Sequence, residues 1–519
     1  MKLNYQKVFY VGLAFFLIQA FWQTYDTIIA KILIDKFGLN QTWSGLVMAL
    51  DNILSLFLLP LFGKLSDKTN TKYGRRTPYI FIGTIIAALT FSLLGIVDNN
   101  QTKLIEQSQI TEDYKLYQET YEKYNTKNKW QLVIDYMDEK YKDNKDYQTN
   151  IKDKMNDILD DYSNNITIKD TDLTDLTDLY HNYLSLQAKD ITKNNKTNFV
   201  IFIILLLITL LSMSIFRSPA VALMPDVVIK PLRSKANAVI NLMGAFGSIL
   251  SIILITILNL SKESYLHYFP AFLATSILMI VLLIIFLIKV DENKLRGEYN
   301  NEVIKYNIED KENEIVTKSN ESVKLSLILI LSSVFLWYMG YNAVISKLSD
   351  YAPKILDMDF TLPLLIAQIF AIISFIPIGI LSQKFGRKKM IIIGVMILTI
   401  SFFGASFLNK NTKFILYPIL ALTGISWATI SVNSFPMVVE LSSSNDVGKY
   451  TGYYYAFSMA AQIITPIFSG YLMDEFGRTI LFKYSSLFVL LSLITMLFVK
   501  HGDAKQIKKS VLEHFDVGD

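Results

Sequence analysis

The chain has 519 residues, 52% of them apolar and 18% charged, with 33 Phe, a formal net charge of +4 and a mean hydropathy of +0.34. Soluble domains rarely reach such hydropathy, so lipid is expected as part of the solvent, with no nucleic-acid partner. The absence of Cys excludes disulfides, thiolate metal sites and cysteine nucleophiles. The four His (His181, His267, His501, His514) form no spaced ligand pair, and no phosphate-binding glycine loop or nucleophile elbow occurs. No enzyme, cofactor or metal site is therefore expected.

The first apolar run, about 8–33, is too long for a cleaved signal core and reads as a retained helix. Stretches able to cross about 30 Å of hydrocarbon follow at 43–63, 78–97, 198–224, 236–260, 267–289, 323–346, 361–381, 389–408, 413–438, 450–472 and 479–499. Twelve spans put both termini on one side of a cell membrane. Lys and Arg cluster in loops 64–77, 229–235, 290–322 and 384–389 and in the tail 500–519, which makes that side cytoplasmic. The expected fold class is an all-α membrane protein of two six-helix pseudo-repeats. Residues 1–97 and 198–289 form the first bundle, 290–322 a cytoplasmic linker, 323–499 the second bundle and 500–519 a cytoplasmic tail.

Residues 98–197 break the pattern, with 20 acidic against 14 basic residues, and the topology places them outside. Ile110, Tyr114, Tyr117, Tyr121 and Tyr124 step by four and three, as one face of a helix does. Trp130, Val133, Met137 and Tyr141 continue in the same style, as do Ile151, Met155, Ile158 and Tyr162. A small helical extracytoplasmic insert is predicted.

An internal repeat supports two halves. Gly63-Lys64-Leu65-Ser66 with Gly74-Arg75-Arg76 is echoed by Gly379-Ile380-Leu381-Ser382 with Gly386-Arg387-Lys388, and Pro225-Asp226-Val227-Val228 by Pro436-Met437-Val438-Val439. The landmarks lie 162 residues apart in the first half and 57 in the second, and the excess matches the insert. Parallel repeats of this kind hold a substrate site between them at mid-membrane.

Ionisable side chains within spans cost several kcal/mol unless paired or hydrated. Asp51 lies near the middle of the second span, Asp26 on the first and Arg217 on the fourth. Two acids set against one base suit a cation-coupling site, with Asp51, the deepest, as first choice and Asp26 as second. A sugar needs aromatic faces for its C–H side and amides or carboxylates for its hydroxyls. Trp22 and Asp26 lie four apart on one helix, as do Trp337 and Tyr341, with Asn342 beside them. Gln23, Asn52, Arg217, Asn241 and Trp427 complete the expected binding set; Asn433 and Gln462 are further intramembrane amides. At the cytoplasmic face Gly63, Asp67, Gly74, Arg75 and Arg76 form a candidate gating motif, in which a carboxylate–guanidinium network locks one packing of the halves.

The run Gly63-x-x-Ser66-Asp67 followed by Gly74-Arg75-Arg76-x-Pro78 resembles the major facilitator superfamily. Arg217-Ser218-Pro219-Ala220-Val221-Ala222-Leu223-Met224-Pro225-Asp226, Lys235-Ala236-Asn237-Ala238 and Trp337-Tyr338-x-x-Tyr341-Asn342 are similar to its glycoside–pentoside–hexuronide/cation and sucrose/proton symporter branches. The resemblance covers about four-fifths of the chain and omits the insert. It implies cation-coupled symport of a glycoside such as a disaccharide by alternating access, with a proton favoured over sodium, and a monomer. The sequence departs from the sucrose symporters at Leu210, where they carry an intramembrane Asp, and at Val221, where they carry a substrate-contacting Arg; Arg217 lies one turn earlier. The alternatives are a proton-coupled drug or metabolite antiporter, a lipid-type carrier on the same fold, and a non-transporting sensor using the outer insert.

Overall fold

Hydrocarbon offers no partner for backbone N–H and C=O groups, so a lipid-crossing chain satisfies them within helices. A computed structural model describes residues 3–229, 233–260, 264–305, 321–439, 441 and 447–502. In chain order its helices are α1 (Tyr5–Lys31, continued by a π-helical turn, Ile32–Lys36), α2 (Gln41–Lys68), α3 (Thr77–Glu106), α4 (Ile110–Glu119), α5 (Lys127–Tyr141), α6 (Lys145–Tyr147), α7 (Asp153–Asp160), α8 (Asp170–Asn194) and α9 (Lys196–Val227). They continue as α10 (Arg233–Ile257), α11 (Phe269–Lys289), α12 (Glu292–Lys305), α13 (Glu321–Ile355), α14 (Thr361–Phe385), α15 (Arg387–Ala405), α16 (Leu416–Val439), α17 (Val447–Phe476) and α18 (Ile480–Leu497).

Eleven of the described helices are long and apolar enough to cross a membrane. The 25-residue α14 occupies the remaining expected span, with Thr361–Phe375 as its apolar stretch. Two apolar cores separate the halves. One gathers Phe21, Phe91, Phe216 and Phe272 from α1, α3, α9 and α11; the other gathers Trp337, Phe402 and Phe482 from α13, α15 and α18. The repeat extends to backbone conformation, because Gly74 and Gly386 open corresponding helices with φ of +107° and +89°. Only a residue without Cβ adopts such values without strain.

Between α3 and α9 the insert is helical, with its own core around Trp130, Met137, Tyr147, Met155, Tyr180 and Tyr183. Two details differ from expectation. Helix α3 continues to Glu106 rather than ending near 97, because its polar residues have buried partners: Asp98 and Thr102 take Lys36, and Gln101 donates to the Lys36 carbonyl at 2.9 Å. Helix α4 stops at Glu119, so Tyr121 and Tyr124 leave its face. The extended backbone at Tyr124 turns its carbonyl to the Trp130 indole N–H, 3.1 Å away.

The face that carries the insert lies opposite the face where α1 begins and α18 ends, the termini face. Toward the insert face the halves meet at several places. Lys354 Nζ donates to Asp35 Oδ1 at 2.6 Å, Gln41 Nε2 to Asp350 Oδ2 at 2.5 Å and the Gln41 amide to Asp474 Oδ1 at 2.8 Å. Thr256 donates to Thr361 at 2.9 Å. The deepest of these contacts is Gln368 Nε2 to Gln23 Oε1, at 3.0 Å. Burial follows the same polarity. On α2, Gln41, Ser44, Gly45, Met48 and Ala49 are buried, whereas Leu56, Phe57, Leu61 and Leu65 are exposed. On α17, Thr465, Ser469 and Met473 are buried, whereas Tyr453, Tyr455 and Phe457 are exposed. The halves are thus closed at the insert face and parted toward the termini.

Candidate functional site

The parted space is walled on one side by α1, α2 and α9. Trp22, Gln23 and Asp26 from α1, Asp51 and Asn52 from α2, and Arg217 from α9 are all partly exposed. Arg217 places its guanidinium carbon 5.7 Å from the Trp22 ring centroid, and Asp51 accepts from Asn52 Nδ2 at 2.8 Å. Asp26 and Asp51 both lie within electrostatic reach of Arg217, and of one another. Three helices of one half therefore bring two carboxylates and one guanidinium together beside an indole. Among the described residues Trp22 Nε1 has no partner, nor does the hydroxyl of Tyr25, whose ring meets Trp22 edge-on at 5.4 Å. Tyr25 was not among the expected residues, although its place between Trp22 and Asp26 is a legible signal.

The second half contributes differently from the expectation. Trp337 is fully buried in the core of its own half, and does not face the parted space. Tyr341 instead stacks on Trp427 of α16, with centroids 3.8 Å apart and planes 6° apart, and Tyr338 meets the same indole edge-on. Both Tyr341 and Trp427 are partly exposed. Asn342, beside them, keeps a buried Nδ2 with no partner among the described residues. Asn241 is exposed on α10. Asn433 and Gln462 each donate to a carbonyl one turn back on their own helix, at 2.8 and 3.3 Å. Gln368, not singled out from sequence, carries the amide that reaches Gln23. A separate groove of about 530 Å³ on the insert, lined by Ser108, Gln109, Lys140, Tyr141, Gln187 and Asp190 among others, contains none of these residues.

At the termini face the gating motif is assembled but lies within one half. Arg76 is 4% exposed; it pairs with Asp67 and with Asp226 Oδ2 at 2.9 Å, and donates to the Gly63 carbonyl at 3.3 Å. Arg75 reaches Asp226 Oδ1 at 2.5 Å. Beneath them Glu292 of α12, 1% exposed, accepts from the backbone amides of Arg75, Arg76 and Thr77 and from the Thr77 hydroxyl at 2.8–3.1 Å. Those amides are the unsatisfied donors of the α3 N-terminus, where a carboxylate is favoured. The expected lock between halves is thus, in this state, a clamp joining α2, α3, α9 and α12. Glu292→Ala would strip buried donors of their acceptor, at about 1–3 kcal/mol. A lowered Tm of the purified protein, restored in part by Glu292→Gln, is the expected reading; an unchanged Tm for the alanine variant would contradict it.

Comparison with known proteins fits this architecture. Residues 188–376 and 362–517 match the Major Facilitator Superfamily profile, and residues 10–105 match the profile described as MFS/sugar transport protein. The chain belongs to the Major Facilitator Superfamily, and its long apolar helices make it a multi-pass membrane protein. Similar curated proteins include the uncharacterized MFS-type transporter MJ1317 of Methanocaldococcus jannaschii (28% identical over 183 residues, 34% of this chain and 45% of that protein). Multidrug resistance protein 2 of Bacillus subtilis is 28% identical over 187 residues, 35% of this chain and 45% of that protein. Sucrose transport protein SUC4 of Arabidopsis thaliana is 29% identical over 62 residues, 12% of each. The chain spans less than half the length of these curated relatives. Among solved structures, the inward-open xylose transporter XylE from E. coli matches with a TM-score of 0.52 at 15% identity, covering 99% of both chains.

Proposed function

We propose that this transporter is a cation-coupled symporter of a glycoside such as a disaccharide, with a proton favoured over sodium. The carrying observation is the meeting of Asp26, Asp51 and Arg217 beside Trp22 on one wall of the space between the halves. The stacked Tyr341/Trp427 pair stands in the opposite half. A carboxylate set against a guanidinium can take and release a cation as water enters and leaves. The rings, with unpartnered donors on Trp22, Tyr25 and Asn342, suit the two sides of a sugar. The match to the MFS/sugar transport protein profile and the short match to SUC4 support the substrate class.

The positive-inside rule places the termini face in the cytoplasm of a cell membrane and the insert outside, so the described state is inward-facing. A monomer suffices, because both walls come from one chain. Rocking of the halves would close the cytoplasmic face and open the insert face, with the Asp67–Arg76–Asp226 clamp moving as one piece with the first half.

The test is uptake of labelled maltose, sucrose or melibiose into vesicles under an imposed pH or sodium gradient. Asp51→Asn is expected to lose gradient-driven accumulation while keeping downhill solute exchange. Absence of gradient-dependent uptake of any glycoside would reject the reading. Proton-coupled export of an amphipathic drug, suggested by the match to Multidrug resistance protein 2, would then lead; it requires counterflow of protons rather than co-entry.

A further inference from the structure

The insert hangs from the first half, through α3 and α9, yet its strongest polar contacts are with the second. Arg478, in the turn between α17 and α18, is 2% exposed. Its guanidinium pairs with Asp178 of insert helix α8 and donates to Asn182 at 2.8 Å, while its own amide donates to Asp178 Oδ2 at 2.8 Å. Its Nε donates to Asp350 of α13 at 2.7 Å. Asp350 also accepts Lys354, at 2.6 Å, and Lys354 bridges back to Asp35 at the end of α1. Further along the seam Lys410 donates to Glu122 at 2.9 Å and to the Tyr117 hydroxyl at 3.2 Å, and Thr479 donates to Asp175 at 3.3 Å.

The seam is dry. Asp178, Asp350 and Lys354 are all under 5% exposed. His181, one turn from Asp178, is held well below the ordinary imidazole range by burial and by the nearby cations Lys354, Arg478 and Lys410. Buried charges of this kind hold only while every partner is present, and removing one leaves the other stranded. Separation of the halves at the insert face must therefore pull Arg478 either from Asp178 on the insert or from Asp350 on its own half.

We propose that the insert is a latch, carried by the first half and clasping Arg478 and Lys410 of the second, which holds the insert face closed and sets how readily the transporter opens there. The inference rests on alternating access but on no particular solute or cation. Its readout is closure itself, so failure to find a transported glycoside leaves it testable.

The native chain lacks Cys, so single reporters can be read without background. Ser44→Cys places a thiol on α2, fully buried beside Gly45 where α2 crosses α17; Ser333→Cys places one in the core of the second half as a control for general loosening. Full-length protein in right-side-out vesicles is treated with a membrane-impermeant maleimide. Asp178→Asn is expected to raise the labelling rate at Ser44→Cys about tenfold, and Lys410→Gln, which removes the partly exposed partner of Glu122, about two- to threefold, with Ser333→Cys unchanged. Should Asp178→Asn fail to fold, Lys410→Gln combined with Thr479→Val gives the same reading from the rim of the seam. Parental labelling rates in the folded variants, or an equal rise at both reporters, would overturn the proposal.

Discussion

Replacing Gly45 with leucine is expected to cut net transport by ten- to a hundredfold while leaving the protein folded in the membrane. A Cβ at Gly45 would overlap the Pro466 carbonyl, and one at Gly470 would overlap the Gln41 carbonyl, so both sides of the α2–α17 crossing depend on bare backbone. Backbone atoms cannot rotate aside as a flexible side chain would. Small residues at such crossings let helices approach closely, and overpacking costs about 1–3 kcal/mol, which acts here on the closed state of the insert face alone. The population closed at the insert face therefore falls, and the carrier stays open toward the insert. Initial rates of gradient-driven uptake check the expectation, with Gly470→Leu required to behave alike. Uptake at the parental rate in both variants would show that this crossing is not a closing contact.

A second large effect is expected at Arg217. Its substitution by glutamine leaves Asp26 and Asp51 facing one another with no cation nearby, and repulsion between two partly buried carboxylates replaces attraction. Because Asp26, Asp51 and Arg217 are partly exposed, the destabilisation is expected at about 1–3 kcal/mol, below that of a sealed pair. Uptake is lost with it. The two consequences separate in the double variant Arg217→Gln with Asp51→Asn, whose Tm recovers while its transport does not. A Tm that falls further in the double variant would mean that Arg217 and Asp51 do not share a local field.

Asp26, Asp51 and Arg217 were visible in the sequence because an ionisable group inside an apolar run is conspicuous, and the reason for keeping it there is functional or structural pairing. The twelve spans and the two halves were visible for a related reason, since length, hydropathy and the Gly63/Gly379 echo are one-dimensional. Trp337 was expected at the site but lies in the core of its own half, because α13 packs against both α17 and α18 and spacing alone cannot tell which of its faces meets the parted space. Its neighbour Tyr341 finds Trp427, a residue 86 positions away on another helix, and no local period reports that pairing. The joint at the insert face was invisible for the opposite reason. Asp35, Lys347, Asp350, Lys354 and Arg478 sit at span ends, where charge is ordinary, and only the folded chain shows them sealed from water. Glu292 belongs with them, as an acid in a polar linker whose target is a set of amides more than 200 residues earlier.

On the proposed cation-coupled reading, and with Asp26 and Asp51 both ionised against Arg217, the empty cavity would carry a net charge of −1 and a bound monovalent cation would bring it to zero. Voltage then acts unequally on the two strokes of the cycle. The occupied cavity turns across the membrane with little electrical work, while the vacant one drags a negative charge through the field, worth up to about 2.3 kcal/mol per 100 mV. An interior-negative potential pushes that charge outward, so energisation hastens the resetting stroke.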